Sequence, residues 1–366
     1  MVPRLNVALV YNMKKTNGDR VSEAVSERND GENGDIVVVS QAKLQKTKVD
    51  TYAEWDSEDT ILAVKTALEQ HHTVTLIEAD EEAYRNFLQI HPDIVFNIAE
   101  GLRGPSREAQ IPAMLEMLDI PYTGSDPLTL GICLDKSRAK EILSHHGIPT
   151  PPFVVVESLQ DLPSISITLP CIVKPLHEGS SKGVLDSSVV RTSLELRQQV
   201  ERVLVDYHEP ALVEKFLTGK EFTVAMLGNG KDVRVLPIIE MQFDNLPKGS
   251  NPIYSFEAKW EWDTVEHPLG QMYTCPARID AKLEERTQNV CIKAFNVLRC
   301  RDWCRIDVRL DEHDVPNILE LNPLPGILPN PDDHSAFPMA ARHGGLGYES
   351  MLNEVLNLAI KRYGIS

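Results

Sequence analysis

Several kinds of segment are absent from this sequence. None of its apolar runs approaches the ~20 residues that a membrane-spanning helix needs, and the N-terminal LNVALVY lacks the cleavage-site pattern of a signal peptide. No block of lysine and arginine offsets the net charge of −17, so the chain is a poor candidate for binding a nucleic-acid backbone. We therefore expect a cytoplasmic protein with neither a membrane nor a nucleic-acid partner.

The six cysteines include no C-x-x-C pair. Most of them lie in apolar runs, which is typical of buried, reduced thiols in a cytosolic protein. Cys300 and Cys304, in CRDWC, have side chains that can ligate zinc, but no second Cys/His pair has the spacing that a zinc site needs. The sequence therefore predicts neither a disulfide framework nor a zinc site.

The length of 366 residues is too great for one hydrophobic core and predicts two or three domains. Strands alternate with helices up to Gly124, and IPYTG reads as the last short strand. This alternation predicts an α/β domain over residues 1–124, a doubly wound parallel sheet with helices on both faces. Residues 14–58 carry little hydrophobic periodicity and are interpreted as a long insert in that domain.

The rest of the chain predicts two further α+β domains. The central one, residues 125–213, contains the strand PCIVKP, a Ser-rich loop, the strand VLDSSVV and a helix near 193–208. The C-terminal one, residues 214–366, contains two hairpins. A long helix at 281–298 precedes the second hairpin, and a helix at 348–362 follows it.

The second hairpin, RIDVRLDEHDVPNILELN, places acidic side chains opposite each other. A turn near residue 313 sets Asp307 across from Glu320, and Arg305 across from Asn322. A slip of one residue would turn the carboxylates to the apolar face. Facing carboxylates repel unless a proton or a cation lies between them. With an amide oxygen they form a set of ligands suited to Mg²⁺, although a solvated acidic hairpin would show the same pattern.

The segment CIVKPLHEGSSKGV combines a lysine with a Gly/Ser loop. In a P-loop the lysine follows the glycines, whereas here Lys174 ends a strand and precedes Gly179. The lysine would contact phosphate as a point charge, and the loop would cover the phosphate with its N–H groups. Taken alone, such a loop is more often an ordinary turn.

Five segments, in this order, resemble the ATP-grasp ligases and, within them, the D-alanine–D-alanine ligases. They are MLEMLDIPYTGSDPLTLGICLDKSRAK, CIVKPLHEGSSKGV, LVEKFLTGKEFTVAML, CRIDVRL and ILELNPLPG. The resemblance runs from about residue 95 to the C-terminus. It implies an ATP-grasp fold, in which two α+β domains clasp ATP beside the N-terminal domain.

The resemblance also implies ATP and two Mg²⁺ ions as cofactors, with Mn²⁺ as an alternative metal. The implied ATP ligands are Lys136 and Lys174 on the phosphates, Ser180 and Ser181 in the covering loop, Glu214, Lys215 and Leu217 around the adenine, and Glu221 on the ribose. The implied metal ligands are Asp307, Glu320 and Asn322.

The implied reaction joins a carboxylate to an amine. The carboxylate attacks the γ-phosphate of ATP, and the amine then attacks the acyl phosphate to form an amide. The implied catalytic groups are Arg305 and the backbone of Gly326, which steady the oxyanion, together with Ser180 and Lys259. Ser335 matches the serine that grips the carboxylate of the second amino acid.

The sequence departs from the family pattern around the first substrate. The insert at 14–58 replaces a short Gly-rich segment, and Glu54 is the nearest counterpart of the glutamate that binds the first amine. Trp260 stands where a tyrosine is expected after EAK, and AEGLRGPSREAQ replaces a His/Gly-rich turn. These departures predict changed substrate chemistry with the nucleotide and metal sites kept.

We therefore expect an ATP-dependent ligase that acts on amino acids or a small peptide. A D-alanine–D-alanine ligase of cell-wall synthesis is the first alternative. The second is a nucleotide-binding protein without catalysis, which would have no need of a second metal-binding carboxylate. A biotin-dependent carboxylase would need further modules for which the chain has no room. Members of the resembled family are often dimers, so a homodimer is a further expectation.

Overall fold

A computed structural model describes residues 4–14, 54–101, 103–164, 166–262, 269–270, 272–333 and 335–365. Residues 15–53 of the predicted insert lie outside the described part, and of Trp260 only the backbone is described.

The described chain forms helices and strands in mixed order. The strands are β1 (Asn6–Tyr11), β2 (Thr73–Glu78), β3 (Ile94–Asn97), β4 (Phe153–Val156), β5 (Cys171–Pro175), β6 (Val189–Val190), β7 (Ala211–Lys215), β8 (Glu221–Leu227), β9 (Arg234–Val235), β10 (Ile239–Met241), β11 (Tyr273–Thr274), β12 (Trp303–Leu310) and β13 (Pro316–Asn322). The α-helices are α1 (Glu58–Glu69), α2 (Ala83–Ile90), α3 (Gln110–Met117), α4 (Pro127–Leu134), α5 (Lys136–His145), α6 (Ser193–Arg202), α7 (Ala281–Val297), α8 (Ala336–His343) and α9 (Tyr348–Tyr363).

The N-terminal sheet is parallel, with strand order β2-β1-β3. Alternate residues of β1 pack on opposite sides of it: Val7 and Leu9 join a core with α1 and α9, and Ala8 and Val10 join a core with α2 and α3. The prediction of helices on both faces is therefore confirmed. The predicted short strand IPYTG is reduced to one parallel bridge, in which Tyr122 pairs with Val95 of β3.

The central sheet has strand order β4-β7-β5-β6, with all pairs antiparallel. The predicted strand VLDSSVV is mostly wrong: it forms a 3₁₀ turn over Asp186–Ser188, and only β6 follows it. The cause is local, since Ser188 Oγ accepts a hydrogen bond from the Leu185 N–H and competes with strand pairing. The predicted boundary at 213/214 falls inside β7, and the domain boundaries stay a prediction.

The C-terminal sheet has strand order β11-β10-β8-β12-β13, with β9 paired to β8. Helix α7 packs on β8, β12 and β13 through a stripe that includes Val290, Cys291, Ala294 and Phe295. The cysteines are free, and all but Cys275 are buried, as predicted. Among the described residues no helix is long and apolar enough to cross a membrane.

The N-terminal and C-terminal parts share one hydrophobic core. Trp303 is fully buried between Phe96 of the first sheet and Phe337 of α8, with ring centroids 5.7 and 5.6 Å away. An ion pair of 2.7 Å joins Arg362 to the buried Asp302, and the arginine also donates to the Tyr122 carbonyl. One face of the central sheet has a core of its own, and on the other face Ile172 and Val189 pack with Phe216 and Ile253 of the C-terminal part.

Candidate active site

A cavity of about 1010 Å³ lies between the central and C-terminal sheets, and the N-terminal part contributes to its wall. Every predicted site residue whose side chain is described lines it. These are Glu54, Lys136, Lys174, Ser180, Ser181, Glu214, Lys215, Leu217, Glu221, Lys259, Arg305, Asp307, Glu320, Asn322, Gly326 and Ser335. Their separate roles stay predictions, and the side chain of Trp260 lies outside the described part.

Three lysines and one glutamate form a buried charge cluster beside the cavity. Lys174, on β5, pairs with one oxygen of Glu214, and Lys140 pairs with the other at 2.9 Å. Lys136 opens α5, which Asp135 caps, and its Nζ lies 3.7 Å from Glu320 Oε2. Three lysines face two carboxylates, Glu214 and Glu320, so this wall keeps a net positive charge that suits an anionic ligand. Sequence reasoning missed Lys140, whose spacing carries no phosphate motif.

The Gly/Ser loop has the backbone of a specialised turn. We call residues 178–184 the lid. Ser180 and Ser181 have φ angles of 49° and 61°, in the left-handed region that residues other than glycine seldom adopt. Ser181 Oγ donates to the Tyr254 carbonyl at 2.8 Å and so ties the lid to the C-terminal part. The Lys182 N–H donates to the Gly179 carbonyl at 2.8 Å, so these residues form a β-turn with two left-handed serines at its centre.

Four charged side chains hold the lid against the N-terminal part; we call them the lid clamp. They are Glu54, Arg107, Glu178 and Lys182. The Arg107 guanidinium lies 2.9 Å from both oxygens of Glu54 and 3.4 Å from Glu178. Lys182 lies 3.2 Å from Glu54 and 2.6 Å from Glu178. All four side chains are at most 15% exposed, so loss of any one of them would leave a buried charge without its partner.

Backbone contacts complete the lid clamp. The Gly179 N–H donates to Glu54 Oε1 at 2.8 Å, and a Cβ on Gly179 would lie 2.5 Å from that oxygen. Arg107 also donates to the His177 carbonyl at 2.8 Å. Sequence reasoning missed Arg107, although it had singled out the segment AEGLRGPSREAQ.

The carboxylate hairpin has the predicted register. Asp307 lies opposite Glu320, and Arg305 lies opposite Asn322, with a bulge just after Asp307. Thr223 Oγ1 donates to Asp307 at 2.8 Å, and the Arg305 guanidinium lies 3.0 Å from the other oxygen of Asp307. The sequence pattern therefore predicted this pairing correctly.

The environment shifts the pKa values of the two hairpin carboxylates in opposite directions. Burial raises the pKa of Asp307, and repulsion from Glu320 adds to it in spite of Arg305. Burial acts on Glu320 in the same direction, but Lys136 and Lys174 outweigh it and lower the pKa of Glu320. Glu320 is therefore ionised at neutral pH, as a metal ligand must be.

The donor set of the hairpin fits Mg²⁺. It offers carboxylate and amide oxygens only, which this cation prefers. No cluster of three or more His, Cys, Asp or Glu side chains that could hold an ion occurs in the described part of the chain. The remaining ligands would then come from nucleotide phosphates and water, as is usual for Mg²⁺.

The remaining predicted catalytic groups surround the hairpin. Burial and repulsion by Arg305 lower the pKa of Lys259 to about 8. Ser335 Oγ donates to the Gly326 carbonyl at 3.0 Å and accepts from the Leu328 N–H at 3.2 Å, so it fixes the loop that carries Gly326.

The end of the cavity that contains Leu217 is mostly apolar. Leu217 is buried there, and Glu221 forms an ion pair with Arg309 at 2.7 Å. About one third of the Lys215 side chain is exposed, and it forms an ion pair with Glu312 at the hairpin tip. An apolar slot with one carboxylate at its edge fits a base and a ribose.

Comparisons with known proteins identify the family. The family model described as D-ala D-ala ligase C-terminus matches residues 142–357. A D-alanine–D-alanine ligase from Hydrogenovibrio crunogenus is 31% identical over 78% of this chain and 80% of its own length. The chain belongs to the D-alanine–D-alanine ligase family. As a member, it is an ATP-dependent, ADP-forming ligase.

One further relative and two solved structures are similar to this chain. The uncharacterized protein y4sG of Sinorhizobium fredii is 38% identical over 74% of this chain and 75% of its own length. The structure of a D-alanine–D-alanine ligase from Bacillus anthracis complexed with ATP matches 99% of both chains, with a TM-score of 0.66 and 19% identity. The VanG D-Ala:D-Ser ligase from Enterococcus faecalis matches with a TM-score of 0.66, also at 19% identity. At these identities the structures show the fold, which is ATP-grasp, as predicted.

Proposed function

We propose that the protein joins two amino acids, or an amino acid and a small peptide, by an amide bond with an acyl phosphate as intermediate. The observation that carries this proposal is the meeting of the Asp307–Glu320 hairpin with Lys136 and Lys174 in one cavity. A module that only binds nucleotide needs no such second carboxylate. We also propose a cytoplasmic location, where ATP is available, and a homodimer.

The residues of the cavity divide the work of phosphoryl transfer. Lys136 and Lys174 would bind the phosphates, and the lid would cover them and exclude water. Asp307, Glu320 and Asn322 would hold Mg²⁺, which supplies charge neutralisation at the transferred phosphate. Little covalent chemistry is left to the protein, whose main contribution is positioning.

The acyl transfer follows at the C-terminal wall. The carboxylate substrate, once phosphorylated, is attacked by the amine, and phosphate leaves as the amide forms. Arg305 would stabilise the developing oxyanion together with the backbone at Gly326. Ser335 would hold the carboxylate of the amine substrate at the end of the same loop.

Lys174→Ala should weaken ATP binding. Loss of one charge-assisted contact costs about 1.5–3 kcal/mol, which is about 10- to 150-fold in Kd. Calorimetric titration with ATP measures the change. Lys231→Ala, an exposed lysine in the turn after β8, is the matched control and should bind like the wild type. An unchanged ATP affinity in Lys174→Ala would remove this residue from the site.

The substrate choice should differ from that of a D-alanine–D-alanine ligase. The first-substrate end is altered at the insert, at residues 99–107 and at Trp260. Pockets that hydrogen-bond a substrate group reject analogues strongly, so these changes should alter which first substrate is accepted. We expect poor D-Ala–D-Ala synthesis and faster turnover with another pair.

A panel of D- and L-amino acids tests this function. Phosphate release from ATP identifies the active pairs, and mass spectrometry identifies the amide product. Efficient D-Ala–D-Ala formation with no better pair in the panel would mean a true D-alanine–D-alanine ligase. If no amino acid of the panel causes phosphate release from ATP, the proposed function is contradicted.

A further inference from the structure

Two carboxyl groups in the cavity wall have no hydrogen-bond donor in the described protein. They belong to Glu100 and Glu108, and both residues line the cavity. Glu108 is only 8% exposed, and Glu100 is partly buried. Their oxygens open into the cavity, so a ligand that enters the cavity can reach both carboxyl groups without displacing a protein donor.

The two residues lie at the edge of the first sheet where ligands bind in α/β proteins. Glu100 follows β3 at the carboxyl end of the parallel strands, and Glu108 lies in the single 3₁₀ turn before α3. Open α/β sheets bind ligands outside the carboxyl ends of their strands.

The electrostatics of the pair favour a cation. Burial raises the pKa of Glu100, and the nearby charge of Glu108 raises it further. Burial also raises the pKa of Glu108, to about 7. Two buried carboxyls that repel each other are relieved when a cation lies between them.

The lid clamp cannot supply that cation. Its two carboxylates, Glu54 and Glu178, are balanced by its two cations, Arg107 and Lys182. Lys136 is engaged as well, because it donates to the Glu178 carbonyl and faces Glu320. Arg107 lowers the pKa of both Glu100 and Glu108, and Lys136 lowers that of Glu108, but burial outweighs them and neither carboxyl forms an ion pair with a described cation.

Glu54 itself is fully used inside the lid clamp. Its Oε1 accepts from Arg107 and from the Gly179 N–H, and its Oε2 accepts from Arg107 and from Lys182. A carboxylate has about four acceptor positions, and all of them are filled. A substrate ammonium would have to displace the lid clamp in order to bind Glu54.

We propose that Glu100 and Glu108 form the subsite for the ammonium group of the carboxylate substrate. The proposal rests on the proposed function and transfers amine recognition away from Glu54. An ammonium group has three donors and can bridge two carboxylates. A divalent metal would need more oxygen ligands than this pair offers, and it is treated as an outcome of the test.

The first test needs no turnover. Thermal unfolding of the ATP-free full chain is followed with ethylammonium, which has the ammonium alone, and with propionate, which has the carboxylate alone. Ethylammonium should raise the Tm of the wild type. The shift should vanish in the double variant Glu100→Gln/Glu108→Gln and persist in Glu69→Gln, a surface control on α1.

Three outcomes of this test would overturn the subsite. They are no shift with ethylammonium in the wild type, an equal shift in the double variant, and a shift with Mg²⁺ alone that the double variant loses. The last outcome would assign the two carboxyls to a metal. The Tm of the double variant without any ligand should equal or exceed that of the wild type, which shows that it folds.

The second test separates recognition from catalysis. The most active amino acid of the panel is compared with its analogue that lacks the amine. The double variant should raise KM for the amino acid at least ~30-fold, the loss expected for a buried charge pair, and leave KM for the analogue and for ATP unchanged. An equal effect on both acids would contradict the subsite. If no amino acid is turned over, the proposed function fails while the thermal test still decides the subsite.

Discussion

Asp307→Asn should lower turnover by about 10²–10³-fold, the usual loss when one group that stabilises transition-state charge is removed. Asp307 faces Glu320 across the hairpin and also positions Arg305 at 3.0 Å. The amide keeps the shape and an acceptor for Thr223 but removes the charge that a divalent cation needs. Steady-state phosphate release with the best substrate pair measures the effect.

Asp314→Asn is the matched control for this prediction. Asp314 lies exposed at the tip of the same hairpin with a φ of 56°, which asparagine tolerates. The control should retain wild-type turnover. Nearly normal turnover in Asp307→Asn would contradict the metal site.

The stability of Asp307→Asn in metal-free buffer has a predictable sign. The folded-state pKa of Asp307 is raised, so its stabilising effect is lost as the pH rises through that value, and the charge disfavours folding at neutral pH. Neutralising it should leave the Tm unchanged or slightly higher. A large fall in Tm would show that the pair is structural.

Arg107→Met should release the lid. The substitution leaves Glu54 and Glu178 buried with Lys182 as their one remaining clamp cation. Breaking a buried ion pair by removing one partner costs about 3–5 kcal/mol, so we expect kcat/KM to fall by ~10²-fold or more. Hydrogen exchange at the backbone of residues 178–182 should become faster.

Arg103→Met is the matched control for the lid clamp, because this nearby arginine is exposed. It should change neither the hydrogen exchange of the lid nor turnover. If hydrogen exchange in the lid of Arg107→Met is as slow as in the wild type, the clamp does not hold the lid. Arg107→Lys keeps the charge without the bidentate fork and should give an intermediate result.

The sequence predicted the metal hairpin because its evidence was local. The parity of two adjacent strands allows one arrangement that keeps Ile306 and Leu321 inside, and this arrangement sets Asp307 opposite Glu320. The sequence itself singled out Lys174 and the Gly/Ser loop, the family resemblance added Lys136, and all three line the cavity. The separate role of each residue awaits the variants above.

The lid clamp could not be predicted from the sequence, because its contacts join residues that are far apart in the chain. Arg107 meets Glu54 and the His177 carbonyl across 53 and 70 residues, and nothing in the local pattern joins these positions. The error at VLDSSVV has another cause. There the Ser188 side chain accepts a hydrogen bond from the Leu185 N–H, which competes with the backbone hydrogen bonds of a β-strand.

The packing of α9 on α1 has a consequence for the order of synthesis. One face of the first sheet, with Val7 and Leu9, shares its core with α9, whose Asn353 also donates to the Ala67 carbonyl of α1. A ribosome makes β1 early and α9 more than two hundred residues after β3. At ~5–20 residues per second, the nascent sheet waits on the order of tens of seconds with that face covered by α1 alone. The core beside the strands translated first is thus completed last, and a chaperone that shields apolar surface should bind the nascent chain there.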